Sequence, residues 1–221
     1  MNYIFPITFT TLGLLVWFLY SRKGKSNPSD KKIEKKNSIK IYTKTGDRGT
    51  TSLYNGERRC KSDVIFSVLG DLDELSAHIG FLRMMIFDNE INLFLKHIQS
   101  RLLDVGSAVA TPRDNSSEFK INKTVFNEEY VDELENYIDE FDKTLPDLTR
   151  FIIPGGNKTS AYIHICRCVS RRVERGIWVL INCGQVNDII GKYINRLSDY
   201  FFVLARYTLS LNSIEDDIYV K

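Results

Sequence analysis

The chain is poor in metal-binding and redox side chains, with only three histidines and four cysteines in 221 residues. Cys60, Cys166, Cys168 and Cys183 form no CxxC pair, and no histidine stands at zinc-finger spacing from them. Cys166 and Cys168, two apart on a helix, point to different faces and cannot share a metal. Reduced, partly buried thiols are therefore expected in preference to disulfides or structural zinc. An excess of one charge is also lacking: 30 Lys and Arg stand against 28 Asp and Glu, a formal net charge of +2. That excludes a nucleic-acid partner held by a broad basic face, so any anion site has to be local. The GxxxxGK[ST] phosphate loop is missing, as are internal repeats and, beyond the N-terminal forty residues, any long strand pattern.

What is present is an ordinary globular balance, 43% hydrophobic and 26% charged, over a length that suits one domain with a short appendage. The appendage comes first. Tyr3 to Tyr20 carry no charge, and Arg22, Lys23 and Lys25 follow at once. Such a run, about 18 residues long, is at the lower limit for a membrane-spanning helix. Pro6 and Gly13 weaken the helix without forbidding it in lipid. No basic region precedes the run and no clear cleavage site follows it, so residues 1–20 read as an anchor in preference to a removable targeting segment. The bases behind it would keep the body on the cytosolic or matrix side. Residues 21–38 are Lys-rich and poor in apolar side chains, the composition of a linker. The folded domain is expected over 39–221.

Within that domain the period turns helical. A first helix is expected over about Gly70 to Phe87, with Asp71, Asp73 and Glu74 in its first turn and Leu72, Leu75, Ile79, Leu82 and Ile86 on one face. A second, over about Glu90 to Ala110, carries Ile91, Leu95, Ile98, Leu102, Val105 and Val109 and stops before Thr111-Pro112. A third, acidic helix runs from near Asn127 to Phe141. Pro146 and Pro154-Gly155-Gly156 break the chain before a fourth, Asn157 to Asn182. A fifth, Val186 to Asn212, buries Ile190, Ile194, Leu197, Phe201, Leu204 and Leu211. The expected class is all-α, a five-helix antiparallel bundle. Ile39 to Arg59, rich in Gly and Thr without helical period, reads as an ordered loop or short extended piece.

Three stretches carry residue types suited to chemistry. Thr43-Lys44-Thr45-Gly46-Asp47-Arg48-Gly49-Thr50-Thr51-Ser52, followed by Lys61, combines glycines, hydroxyls and bases as a phosphate cradle requires, although a solvated turn has the same composition. Arg167, Arg171 and Arg175 lie at i, i+4 and i+8 beside Arg172 and Glu174. They form one cationic line that repels itself unless a triphosphate or carboxylates answer it, and a salt-bridged face is the alternative. Asn195 and Asp199 share a polar face one turn apart, in which a buried network is the plainer reading. Phe151, before Pro154-Gly155-Gly156, is ordinary core when taken alone.

Taken together, TKTGDRGTTSL, GERRCKSD, GDLDELSAHIGF, FIIPGGNKTSAYIHICRCVSRRVER and INRLSDYFFVLARY appear in order and at the spacing of the PduO-type cob(I)alamin adenosyltransferases. From about Ile39 onward the chain resembles that family, and most closely its animal mitochondrial members. The resemblance implies transfer of the 5′-deoxyadenosyl group of ATP to the cobalt of cob(I)alamin, with release of triphosphate. It also implies Thr43, Lys44, Thr45, Gly46 and Lys61 at ATP, with Arg167 and Arg171 holding phosphates. Glu174 falls near the nucleotide and its Mg²⁺, and Asn195 near the nucleotide. Asp73 is similar to an acid that pairs with the Arg167 position across a subunit boundary, and Phe151 to an aromatic that packs under the corrin and displaces the lower cobalt ligand. The family resembled is trimeric, with active sites between subunits. Its animal members work in mitochondria beside a mutase that uses the product, and a reductase has to supply reduced cobalamin. The expected location is the matrix side of mitochondria; a membrane-anchored protein with a cytosolic body is the alternative. Ile65 and Ser67 depart from the arginine and glutamate that bacterial relatives often carry there, which puts any ATP contact at those places in doubt.

Overall fold

An aspartate sets the start of the first helix. In the computed structural model, which describes Tyr42 and residues 44–220, the Asp63 side chain accepts a hydrogen bond from the Ile65 amide at 3.0 Å. Helix α1 therefore spans Val64–Arg83, beginning six residues before the expected Gly70 and ending before Phe87. The cap satisfies a donor that would otherwise be orphaned. One consequence corrects the sequence reading: Asp71, Asp73 and Glu74 lie in mid-helix, where the N-terminal dipole no longer explains them.

The other long helices follow with small shifts. Helix α2 is Asn89–Val109, with Asp88 accepting from the Ile91 amide at 2.9 Å. A short α3, Glu118–Lys123, was not anticipated. Helix α4 is Glu129–Asp142, α5 is Lys158–Asn182 with Asn157 as its cap, and α6 is Asp188–Ser210 capped by Asn187. Before them, β1 (Thr50–Ser52) and β2 (Arg58–Cys60) pair antiparallel, Thr50 facing Cys60 and Ser52 facing Arg58. The described residues thus hold six helices and a two-stranded ribbon, so the expected helical class stands while the count of five becomes six, through one short helix, and a small ribbon is added.

All these elements belong to the unit Lys44–Lys221. Helix α5 is central: it packs against α6 and α1, while α4 lies on α6 and α2 on α1. The apolar stripes meet as their periods require. Leu75, Ile79, Leu95, Ile98, Val105, Val173, Ile177, Ile194, Leu197 and Leu204 are buried, each side chain worth roughly 1.5–3 kcal/mol relative to exposure. Leu211 corrects the reading of α6: it follows the last turn and is 59% exposed. Aromatic pairs seal the α2–α4–α6 side, Phe94 on Tyr137 at 3.8 Å and Phe141 on Tyr207 at 4.3 Å between ring centroids.

After α6 the chain turns back. Ile218 forms an antiparallel bridge with Ile152, and Arg206, 4% exposed, bonds Asp216 at 2.9 Å. Among the described residues, no helix is long and apolar enough to cross a membrane. The readings made for residues 1–20 and 21–38 lie outside the described residues.

Candidate functional site

The Gly-Thr stretch folds as a tight turn leading into the ribbon. Lys44 and Gly49 have positive φ, 58° and 76°, and the Gly49 amide closes onto the Gly46 carbonyl at 3.2 Å. A Cβ on Gly46 would stand 3.1 Å from Lys61 Nζ, so the lysine lies directly over a glycine that a larger residue would crowd. The Lys61 amide also donates to the Gly49 carbonyl at 2.9 Å. Lys44, Thr45, Gly46 and Lys61 are thereby brought to one place; Thr43 lies outside the described residues. The residue that fastens the turn was missed. Arg58 donates to the carbonyls of Thr45 and Thr50 and to the Thr50 and Ser52 hydroxyls. The available signal was Asn55-Gly56, a hairpin turn whose Gly56 takes φ 94° and which returns Arg58 across β1.

On α5 the arginines divide. Arg172 turns to α1, donating to Asp71 at 3.1 Å and pairing with Glu74. This is where two of the mid-helix acids find their partner. Arg167, Arg171 and Arg175 remain on the other side with no ion pair among the described residues. Arg175 Nη1 turns back to the Arg171 carbonyl at 3.1 Å. Arg167 Nε is buried without a hydrogen-bond partner, and its guanidinium lies 5.9 Å from the Phe202 ring centroid. A cationic line with so little internal compensation is an anion site in electrostatic terms.

Beside it, α5 and α6 share a polar network. Asn195 Nδ2 donates to Glu174 Oε1 at 3.0 Å, Arg196 Nη1 donates to Asn195 Oδ1 at 3.0 Å, and Arg196 Nε reaches Glu135 on α4. Asp199 stands in the same field. Burial raises its carboxyl above the ordinary range, Glu174 adds to this, and Arg196, Arg171 and Arg167 oppose it. Arg167, Arg171, Glu174 and Asn195 therefore form one cluster. No hydrogen bond or ion pair joins them to Gly46, Arg58 or Lys61 among the described residues. Asp73 is apart from both: it is exposed on α1 and lines a cavity of about 530 Å³ with Tyr54, Leu103 and Lys123.

Phe151 is no core residue, since it is 84% exposed. Its backbone is nevertheless held: its carbonyl accepts from the Tyr219 amide at 2.8 Å, and the Ile153 amide donates to the Asp217 carbonyl at 2.7 Å. Asp217 Oδ2 accepts from the Gly156 amide at 3.1 Å, and a Cβ on Gly155 would come within 2.5 Å of that oxygen. The ring is thus offered to solvent from a backbone held on both sides, as the exposed rings of Phe81 and Phe119 are offered from helices. The C-terminal strap that fixes it has no signature in local sequence. Of the two departures, Ile65 is fully buried in the α1 core and Ser67 is exposed.

Comparisons with known proteins agree on one family. A model described as cobalamin adenosyltransferase matches residues 41–208. Corrinoid adenosyltransferase MMAB of Mus musculus is 44% identical over 185 residues, 82% of this chain and 78% of that protein. The Homo sapiens protein of the same name is 44% identical over 184 residues, 82% and 74% of the two chains. Corrinoid adenosyltransferase of Mycobacterium leprae is 36% identical over 184 residues, 79% and 94%. Among solved structures, a phenylalanine-to-alanine variant of the PduO-type ATP:corrinoid adenosyltransferase from Lactobacillus reuteri, complexed with cobalamin and ATP, superposes with TM-score 0.76. It is 34% identical and covers 82% of this chain and 100% of its own.

Proposed function

The chain belongs to the cobalamin adenosyltransferase family, and from that premise we infer that it transfers the 5′-deoxyadenosyl group of ATP to the cobalt of cob(I)alamin. The observation that supports this best is the anion-seeking line Arg167–Arg171 beside Glu174 and Asn195, on a chain so similar to corrinoid adenosyltransferases. In the reaction the cobalt electron pair attacks C5′ of ATP and becomes the cobalt–carbon bond, while the C5′–oxygen bond breaks and its own electron pair leaves with the triphosphate. Cob(I)alamin is itself a strong nucleophile, so the protein's task is to align C5′ with cobalt and to stabilise the leaving charge.

The roles of the residues are those that the family resemblance implies. Thr43, Lys44, Thr45, Gly46 and Lys61 wrap the triphosphate, and Arg167 and Arg171 neutralise its charge as it leaves. Glu174 gives one oxygen to Asn195; its other oxygen suits a Mg²⁺ that arrives on ATP, because that ion keeps waters and phosphates and needs few carboxylates. Phe151 wedges beneath the corrin and excludes the lower ligand, leaving Co(II) four-coordinate and easier to reduce. Its exposure on a strapped backbone supports that use.

The active unit is a homotrimer with sites between subunits. Asp73 pairs with Arg167 of a neighbouring copy, a reading supported by the absence of an ion pair for Arg167 among the described residues. Residues 1–20 form the anchor or targeting segment, 21–38 the linker and 39–221 the enzyme, on the matrix side of mitochondria; the alternative is a membrane-anchored protein with a cytosolic body. A reductase supplies the reduced cobalamin and a mutase accepts the product. The test is direct. Protein from Ile39 onward, given ATP, Mg²⁺ and chemically reduced cobalamin, should form adenosylcobalamin. Cobalamin binding without turnover would instead make the chain a tethered carrier and sink the enzyme reading.

A further inference from the structure

Arg58 has a bonding pattern that its neighbours in the ribbon lack. It opens β2 opposite Ser52, and its guanidinium reaches back across β1. Nη2 donates to the Thr45 carbonyl at 2.9 Å, the Thr50 carbonyl at 3.2 Å and Thr50 Oγ1 at 2.7 Å, while Nη1 donates to Ser52 Oγ at 3.2 Å. Every one of these acceptors is neutral, and no carboxylate of the described residues forms an ion pair with Arg58. Arg59, one position on, is the contrast: it is neutralised by Glu57 at 2.9 Å and Asp63 at 3.5 Å. A guanidinium bonded only to carbonyls and hydroxyls is not neutralised by an ion pair, and its planar fork holds several acceptors in fixed relation as a lysine cannot. Arg58 also borders an open concavity of about 650 Å³ with Lys44, Thr45, Asp47, Arg48 and Thr50.

We propose that Arg58 is a positioning residue for the triphosphate of ATP, locking Thr45 and Thr50 in the phosphate-binding turn and leaving an uncompensated charge beside it. This rests on the reading of that turn as the ATP loop. The chemistry recognised is a polyphosphate. The turn's own hydroxyls and amides make the contacts, and Arg58 fixes where they stand. Without it, the turn between Thr45 and Thr50 loses these four side-chain bonds, while the Gly49-to-Gly46 and Lys61-to-Gly49 backbone bonds remain.

The experiment compares the full chain with Arg58→Met, Arg58→Lys, Thr50→Val and Lys61→Ala. Calorimetry reads binding of ATP and of inorganic tripolyphosphate, and steady-state kinetics reads KM for ATP against KM for cobalamin and kcat. Arg58→Met should weaken both polyphosphates about ten- to hundredfold, the size expected for hydrogen bonds tied to a charged group. KM for cobalamin should stay within about twofold, since that site is elsewhere. Arg58→Lys should recover part of the tripolyphosphate affinity, because charge remains while the fork is lost. Thr50→Val, which keeps the charge and removes the closest acceptor, should fall between wild type and Arg58→Met. If Arg58→Met binds tripolyphosphate as wild type does while Lys61→Ala does not, the proposal fails and the ATP-loop reading stands. If neither variant loses affinity, that reading falls and takes the proposal with it. Should Arg58→Met fail to fold, Thr50→Val decides: unchanged binding of both polyphosphates overturns the proposal.

Discussion

Replacing Arg206 with methionine should lower the thermal midpoint by about 6–20 °C. The arginine is 4% exposed. It is satisfied by three neighbours: Asp216 Oδ2 at 2.9 Å, the Pro146 carbonyl at 2.7 Å and, more weakly, Asp142 at 3.9 Å. Asp142 is 62% exposed and adds little, because water screens it. Methionine keeps most of the side chain's volume, so the main loss is electrostatic. Asp216, only 16% exposed, is stranded along with a carbonyl. Removing one partner of such a pair costs about 3–5 kcal/mol. Each kcal/mol moves the midpoint of a domain this size by about 2–4 °C, which gives the range above. Circular dichroism melts at neutral pH measure it. Changing Asp216→Leu as well should restore part of the loss, since the stranded charge is then gone. A drop of under about 3 °C would refute the reasoning, because it would mean the pair does not hold the C-terminal strap.

Other expectations are more local. Phe151→Ala should leave ATP binding intact and slow formation of four-coordinate Co(II); an unchanged cobalt spectrum refutes the wedge. Arg167→Met should abolish turnover and weaken the proposed trimer, and wild-type turnover would remove Arg167 from the site. Burial, reinforced by Arg167, holds His164 below the ordinary imidazole value, with Asp216 working against both. The neutral ring is thus the folded form, so stability is complete above the ordinary imidazole range and is lost as pH falls below it through the lowered value. Denaturant midpoints of His164→Gln should therefore fall less between about pH 7 and pH 5 than those of wild type, and equal slopes would contradict this. The Ser62 hydroxyl lowers the exposed Cys60 thiol, whereas burial pushes Cys166 up to about 12. Iodoacetamide should reach Cys60 first and Cys166 only on unfolding, with ATP slowing the first reaction because Lys61 is adjacent; mass spectrometry decides, and early loss of Cys166 counts against the burial argument.

Much of the fold was legible because each long helix carries an apolar period that leaves one face no alternative to burial. Ile91 to Val109 and Ile190 to Leu204 were read that way and are buried. Their boundaries were less legible. Asp63 moves the start of α1 by a turn and a half, and a single capping side chain has no period to reveal it. The short α3 and the three-residue strands are below the length at which periodicity accumulates. Phe151 shows the same limit from the other side: a lone aromatic defaults to core, and it takes the family resemblance and its exposure to say otherwise.

By itself, then, the sequence determined the helical class, the buried stripes, the line Arg167–Arg171–Arg175 and, through its ordered blocks, the family. Those depend on neighbours along the chain, where spacing of three or four residues fixes which side chains share a face. Tertiary structure alone decided that Arg172, beside that line, pairs with Asp71 and Glu74, that Glu174 meets Asn195, that Arg58 fastens the Gly-Thr turn, and that Asp217 holds the loop of Phe151. Each of these joins residues distant in sequence or carried on different strands and helices. Which of several like charges finds a given partner depends on packing angle and exposure, and neither is written in the spacing.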